Sequence, residues 1–117
     1  MLNIVLAEDH NIVRNGIRIL VEMDNKIHVV GEATNGFEVL KIIEEGEVID
    51  IVLTDINMPG MDGIELAREL KVRSPKTKVV MLSMLDNEKY IAQAFIEGAS
   101  GYLLKNVSAE ELLFSLR

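Results

Sequence analysis

The 117-residue sequence predicts one doubly wound α/β domain, a parallel sheet with helices on both faces. Three observations carry that expectation. Short aliphatic runs recur, and each ends in polar side chains: Leu2 to Ala7 before Glu8-Asp9, Ile51 to Thr54 before Asp55, Lys78 to Leu82 before Ser83, and Gly101 to Leu104 before Lys105. Runs of roughly four to eight apolar residues bounded by turn signals are what a strand buried on both faces requires. Between the runs the apolar spacing switches to helical intervals, and every linker is short, so right-handed crossovers would cover both faces of the sheet. No internal repeat or low-complexity segment competes with this reading.

Taken in order, Leu2 to Ala7 is the first strand. From Ile12 a helix follows, with Ile12, Val13, Gly16, Ile17, Leu20 and Val21 as its apolar side and Arg14, Asn15 and Arg18 on the other. Asp24-Asn25 breaks it, and Ile27 to Gly31 is a shorter, polar-interrupted strand suited to an edge. Asn35 with Glu38 forms a capping-box start for the second helix, whose stripe is Phe37, Val39, Leu40, Ile42 and Ile43, with Gly46 as its stop. After the strand ending at Asp55, the pair Asp62 and Glu65 opens a third helix bearing Ile64, Leu66, Ala67 and Leu70, and Pro75 forbids its continuation. Lys78 to Ser83 is the fourth strand. Asp86 opens a helix through Glu97 that carries Tyr90, Ile91, Ala94 and Phe95, a stripe expected to be mostly core, and Gly98 stops it. Gly101 to Leu104 is the fifth strand, and Ser108 with Glu111 caps a last helix carrying Leu112, Leu113 and Leu116 that looks unfinished at Arg117.

Composition narrows the chemistry. Hydrophobic residues make up 49% of the chain, enough for one sizeable core and too short a chain for two. No run approaches the roughly 18 apolar residues of a membrane span, and the start lacks the basic and long apolar regions of a signal peptide, so a cytoplasmic location and no membrane partner are expected. With no cysteine, disulfides, thiol catalysis and Cys-ligated metals are excluded, and two histidines are too few for a histidine metal cluster. A net charge of -7 and 4% aromatics without Trp disfavour direct nucleic-acid binding by this domain.

The carboxyl ends of parallel strands share one edge, which is where open α/β sheets bind ligands. Glu8, Asp9, Asp55, Ser83 and Lys105 are therefore expected together there. Alone, Asp55 reads equally as a turn cap before Pro59, and Glu8-Asp9 as the cap of the first helix. Together they are a site. At an effective dielectric near 20, carboxylates about 4 Å apart repel by roughly 4 kcal/mol, enough to shift protonation or demand a counter-ion, for which a divalent cation is the natural solution. Hard oxygen ligands without Cys or His suit Mg²⁺. A carboxylate beside bound Mg²⁺ can attack a phosphoryl group while the metal and a lysine neutralise its oxygens. Ser83 and Lys105 would then hold the modified state better than the free one, as a switch requires.

These residues, with the stretches Asp55 to Gly63 and Gly101 to Lys105, resemble the receiver domain of two-component response regulators over essentially the whole chain. Ala7 to His10 and Gly98 to Asn106 are most similar to the subfamily whose receiver precedes a helix-turn-helix DNA-binding domain of the NarL/FixJ/LuxR type. The resemblance implies a flavodoxin-like fold, five parallel strands in the order 2-1-3-4-5 with five helices. It implies Asp55 as phosphoacceptor; Glu8, Asp9, Asp55 and the Asn57 backbone carbonyl as Mg²⁺ ligands; Lys105 as the phosphoryl contact; and Ser83 with Tyr102 as switch pair. His10 is expected to be a loop residue beside the site. Residues 1–117 are expected to be a receiver cut from a longer regulator, phosphorylated by a sensor histidine kinase, slowly self-dephosphorylating, governing a C-terminal DNA-binding domain and forming a homodimer on phosphorylation. It is read as a signalling protein rather than an enzyme. Two departures stand out: Asn106 follows Lys105 where many receivers have Pro, which bears on a cis peptide there, and Met84 is larger than the usual residue. The alternative from another class is a Mg²⁺-dependent small-molecule phosphohydrolase with Asp55 as nucleophile.

Overall fold

Alternation along each strand builds two separate cores on one sheet. The computed structural model describes residues 1–84 and 87–116. Its elements are β1 (Leu2–Ala7), α1 (Asn11–Val21), β2 (Ile27–Ala33), α2 (Gly36–Glu44), β3 (Ile51–Thr54), α3 (Gly63–Arg73), β4 (Lys78–Ser83), α4 (Glu88–Ile96), β5 (Gly101–Leu104) and α5 (Ala109–Leu116). All strand pairs are parallel, in the order β2-β1-β3-β4-β5, the order expected. Successive side chains point to opposite faces. Val5, Ala7, Val52, Val79 and Met81 therefore pack with Val39 and Leu40 of α2, Leu66, Ala67 and Leu70 of α3, and Ala94 of α4. Ile4, Leu6, Ile51, Leu53, Val80 and Leu82 pack instead with Val21 of α1 and with Leu112 and Leu116 of α5. Each fully buried aliphatic side chain contributes about 1.5–3 kcal/mol, so both layers help hold the sheet between its helices.

Helix starts follow local chemistry. Asp62 and Glu65 form a reciprocal capping box at α3. Asn35 accepts from the Glu38 backbone N–H at 3.0 Å, but the Glu38 carboxylate turns back to Thr34 rather than to the cap residue, so the expected box is only half closed. Ser108 Oγ accepts from the Glu111 N–H at 3.1 Å. The N-cap of α4 is Asn87, and the expected start at Asp86 lies outside the described residues.

Three expectations need correction. β2 runs two residues past Gly31 to Ala33, because Glu32 and Ala33 continue the ladder opposite Leu6 and Ala7 after a register shift at Ile4/Val5. The expected apolar side of α1 is mostly in solvent: Ile12 is 88% exposed and only Val21 is fully buried. Arg14, Ile17, Arg18 and Val21, at helical spacing, form the less exposed side, so two of the residues expected to face away lie toward the sheet. On α4, only Ala94 of the expected core stripe is buried, while Tyr90 and Phe95 are exposed. The sheet edge these helices flank at the strand carboxyl ends is where the expected site lies.

Candidate functional site

The parallel register itself brings the polar residues together. Ala7 is the register partner of Thr54, so Glu8 and Asp55 leave neighbouring strands at the same level. Ser83 is likewise the partner of Leu104, which puts Lys105 one residue beyond. Backbone bonds continue the ladder past the strand ends: Glu8 N–H to Ala33 O at 2.9 Å, Asp55 N–H to Ala7 O at 3.0 Å, and Lys105 N–H to Ser83 O at 2.9 Å.

At this edge Lys105 Nζ donates to Glu8 Oε1 and, at 3.2 Å, to Asp55 Oδ2. Glu8 and Asp55 are buried and the Lys105 side chain is 14% exposed. Burial would pull the Lys105 ammonium toward its neutral form, but the bond to Glu8 and the charge of Asp55 outweigh it and raise its pKa above the ordinary lysine value. Lys105 is thus the counter-ion of both carboxylates here, the role that charge repulsion alone had suggested for a metal.

Asp55 is held from several sides. Its Oδ1 accepts from the Ile56 N–H at 2.7 Å, and its carbonyl accepts from the Thr54 hydroxyl at 2.8 Å. The start of α3 abuts it, and a Cβ added at Gly63 would lie 2.2 Å from the Asp55 carbonyl oxygen. The following loop carries exposed Asn57, and α2 braces it: the Gly36 N–H donates to Met61 O at 3.1 Å. Gly60 has φ +74, a left-handed conformation that favours glycine, and the Phe37 ring lies 3.1 Å from where its Cβ would be.

The acidic turn fits a hard cation. Asp9 Oδ1 is buried without a hydrogen-bond partner, with His10 Nδ1 at 3.3 Å. Glu8, Asp9 and His10 each offer a ligand atom, all within 4.8 Å of one another. A buried, unpartnered carboxylate oxygen is costly unless something positive completes it, and oxygen donors suit Mg²⁺. His10, expected only to stand nearby, contacts Glu8 Oε2 at 3.3 Å through Nδ1 and from its backbone N–H at 3.2 Å.

Ser83 is 1% exposed at the end of β4, on the same edge. Tyr102 stands further back, as register partner of Met81, and packs partly buried on the core beneath α2, α3 and α4. The Lys105-Asn106 peptide is trans, since the described residues contain no cis bond, and Met84 is exposed. Arg14, expected on the far side of α1, also reaches the site: its Nη1 donates to the Glu8 carbonyl at 2.9 Å. Its signal was present in the spacing of Arg14, Ile17 and Val21, overshadowed by apolar residues all round the helix.

No helix of the described residues is long and apolar enough to cross a membrane. Residues 4–117 match the family model of the response regulator receiver domain. The nitrate/nitrite response regulator protein NarL of Escherichia coli K12 is 39% identical over 113 residues, covering 97% of this chain and 52% of that protein. The transcriptional regulatory protein DegU of Brevibacillus brevis is 35% identical over 116 residues, covering 99% of this chain and 49% of that protein. The chain therefore spans about half the length of these curated relatives. Among solved structures, a DNA-binding response regulator of the LuxR family from Staphylococcus aureus superposes with TM-score 0.90 at 29% identity, covering 98% of this chain and 95% of that one. With residues 4–117 matched by that family model and the five strands in the order β2-β1-β3-β4-β5, the chain belongs to the response regulator receiver domain family.

Proposed function

We propose that this receiver is a phosphorylation switch in which Asp55 accepts a phosphoryl group from a sensor histidine kinase. The observation that carries the reading is the Lys105 ammonium held between Glu8 and Asp55. A buried carboxylate paired with a lysine at the carboxyl edge of a parallel sheet suits attack on phosphorus, with the lysine ready to meet phosphoryl oxygens. Glu8, Asp9, Asp55 and the Asn57 carbonyl would hold Mg²⁺, which when bound neutralises charge on the transferring group. Asp9 Oδ1, buried without a hydrogen bond and with the His10 ring nitrogen 3.3 Å away, supports that assignment.

In the transfer, an Asp55 carboxylate oxygen forms a bond to phosphorus as the bond between phosphorus and its donor breaks, and the donor leaves with that electron pair. Ser83 donates its hydroxyl hydrogen to one phosphoryl oxygen and Lys105 pairs with another. Lys105 thereby exchanges a carboxylate partner for a phosphoryl partner, and that differential biases β4, β5 and α4 toward a second state. Tyr102, packed beside the same strands, is the inner half of the switch with Ser83. Water later attacks the phosphoryl group and restores the Asp55 carboxylate slowly.

Two relatives are transcriptional or DNA-binding regulators by name, and this chain spans about half of the curated ones. We infer a longer regulator, with a C-terminal helix-turn-helix domain and a homodimer that forms on phosphorylation. The phosphohydrolase alternative is not favoured, since the relatives are regulators. Acetyl phosphate or beryllofluoride with Mg²⁺ is expected to modify wild type and not Asp55→Ala. Equal modification of both would overturn the assignment.

A further inference from the structure

We infer that Arg14 is a positioning residue that sets the cation affinity of the acidic turn, a step beyond the cation-site reading above and resting on it. Arg14 lies in the first turn of α1, with its side chain 15% exposed, and all three guanidinium nitrogens are engaged. Nη1 donates to the Glu8 carbonyl at 2.9 Å, Nε to Glu32 Oε1 at 3.0 Å, and Nη2 to Asn11 Oδ1 at 2.8 Å. Glu32 sits on β2 opposite Leu6 of β1, and its other oxygen is held by Arg18. The guanidinium therefore ties the turn to the edge strand and to the helix start at once.

Its choice of acceptor is what gives the arrangement a role. Arg14 donates to the Glu8 backbone oxygen, so it places a positive charge beside the acidic turn without occupying a Glu8 or Asp9 carboxylate oxygen. Arg14 itself thus takes no carboxylate oxygen from a cation, Asp9 Oδ1 is left without a hydrogen bond, and the backbone that carries both carboxylates is tied down. Glu8 already gives one carboxylate oxygen to Lys105 and the other to His10, so the turn's remaining freedom is in its backbone. Partners that orient a metal's ligands without touching the metal commonly change its affinity by about 10- to 100-fold. Lysine is no equivalent, because a single ammonium cannot reproduce a fork that bridges Glu8 and Glu32.

Arg18 supplies the internal control. It grips the same Glu32 and carries the same charge, but its recorded bonds go to Glu22 and Glu32 and not to Glu8. Mn²⁺ binding to the 117-residue chain, read from the free-ion electron paramagnetic resonance signal, and Mg²⁺ binding by calorimetry are measured for wild type, Arg14→Ala, Arg14→Lys and Arg18→Ala. Both Arg14 variants are expected to bind more weakly, Arg14→Ala by about tenfold, with Arg18→Ala close to wild type. In acetyl phosphate labelling, the Mg²⁺ concentration giving half the maximal rate should rise about tenfold in Arg14→Ala, while the rate at saturating Mg²⁺ stays within about twofold. A merely structural role would lower the saturating rate instead.

Should Arg14→Ala fail to fold, Arg14→Lys carries the test. Wild-type affinity in a folded Arg14 variant, or equal weakening by Arg18→Ala, overturns the inference and leaves the phospho-receiver reading standing. A wild type that binds neither cation and is not labelled at Asp55 overturns both.

Discussion

Lys105 Nζ lies 3.2 Å from Asp55 Oδ2, joining residues 50 positions apart in sequence while the same ammonium also bonds Glu8. One positive charge is thereby shared between two carboxylates, which leaves the resting site negative. A cation or a phosphoryl group entering the site must compete with Lys105 or recruit it.

Lys105→Met tests that competition. Removing one partner of a buried ion pair strands the others, so the variant is expected to lose about 3 kcal/mol of stability in metal-free buffer, seen as a melting temperature lower by roughly 10 °C. Millimolar Mg²⁺ should restore part of this, and it should bind more tightly than to wild type because the ammonium no longer competes for Glu8 and Asp55. Looser Mg²⁺ binding by a folded variant would contradict the picture of Lys105 as the resting counter-ion.

Asp55→Asn keeps the shape of the side chain and removes the nucleophile. With Mg²⁺ and a phosphodonor, intact mass should show one added phosphoryl group on wild type and none on the variant. Sizing of the same samples should report any self-association only in the modified wild type. A modified variant would place the acceptor elsewhere.

Gly63→Ala probes the close approach of α3 to the acceptor strand. Because the added Cβ would meet a backbone oxygen at 2.2 Å, no side chain can move aside and the loop must shift. Overpacking of this kind costs about 1–3 kcal/mol. Denaturant melts should show that loss, and labelling at Asp55 should slow with it. A stable variant labelled at the wild-type rate would show that the contact does not position Asp55.

The Glu38 carboxyl is held below its ordinary value of 4.5 first by the Thr34 backbone N–H at 2.6 Å and next by the Thr34 hydroxyl at 2.7 Å. A lowered folded-state pKa gives stability that is fully present above about 4.5 and is lost as pH falls through the folded value. Glu38→Gln should therefore melt below wild type at pH 7, and the gap should close as pH drops below about 4.5. Water screening of this exposed group limits the gap to roughly 2 °C. A gap that is constant from pH 7 to pH 3 would assign the effect to side-chain shape rather than charge.

Much of the molecule was readable from local pattern. Leu2–Ala7 and Lys78–Ser83 end where the apolar runs meet polar residues, and Asp62 with Glu65 caps α3 as their spacing implies. Parallel pairing of such runs puts Glu8, Asp55, Ser83 and Lys105 on one edge, because every strand of a parallel sheet ends on the same side. Their assembly on that edge was therefore legible before any contact was known.

The rotation of α1 was not legible. Ile12, Val13, Ile17, Ile19, Leu20 and Val21 surround the helix, so the pattern offered more than one buried side. Packing on β1 and β2 selected the side bearing Arg14, Ile17, Arg18 and Val21, where Arg14 and Arg18 find Glu32. The sharing of Lys105 between Glu8 and Asp55 likewise depends on distances across the strand ends. The sequence by itself determined the order of elements and the edge where charge gathers, since both follow from periodicity and strand direction. Only the tertiary structure decided which nitrogen meets which oxygen, because hydrogen bonds and ion pairs turn on ångström separations and helix rotation that residue spacing does not encode.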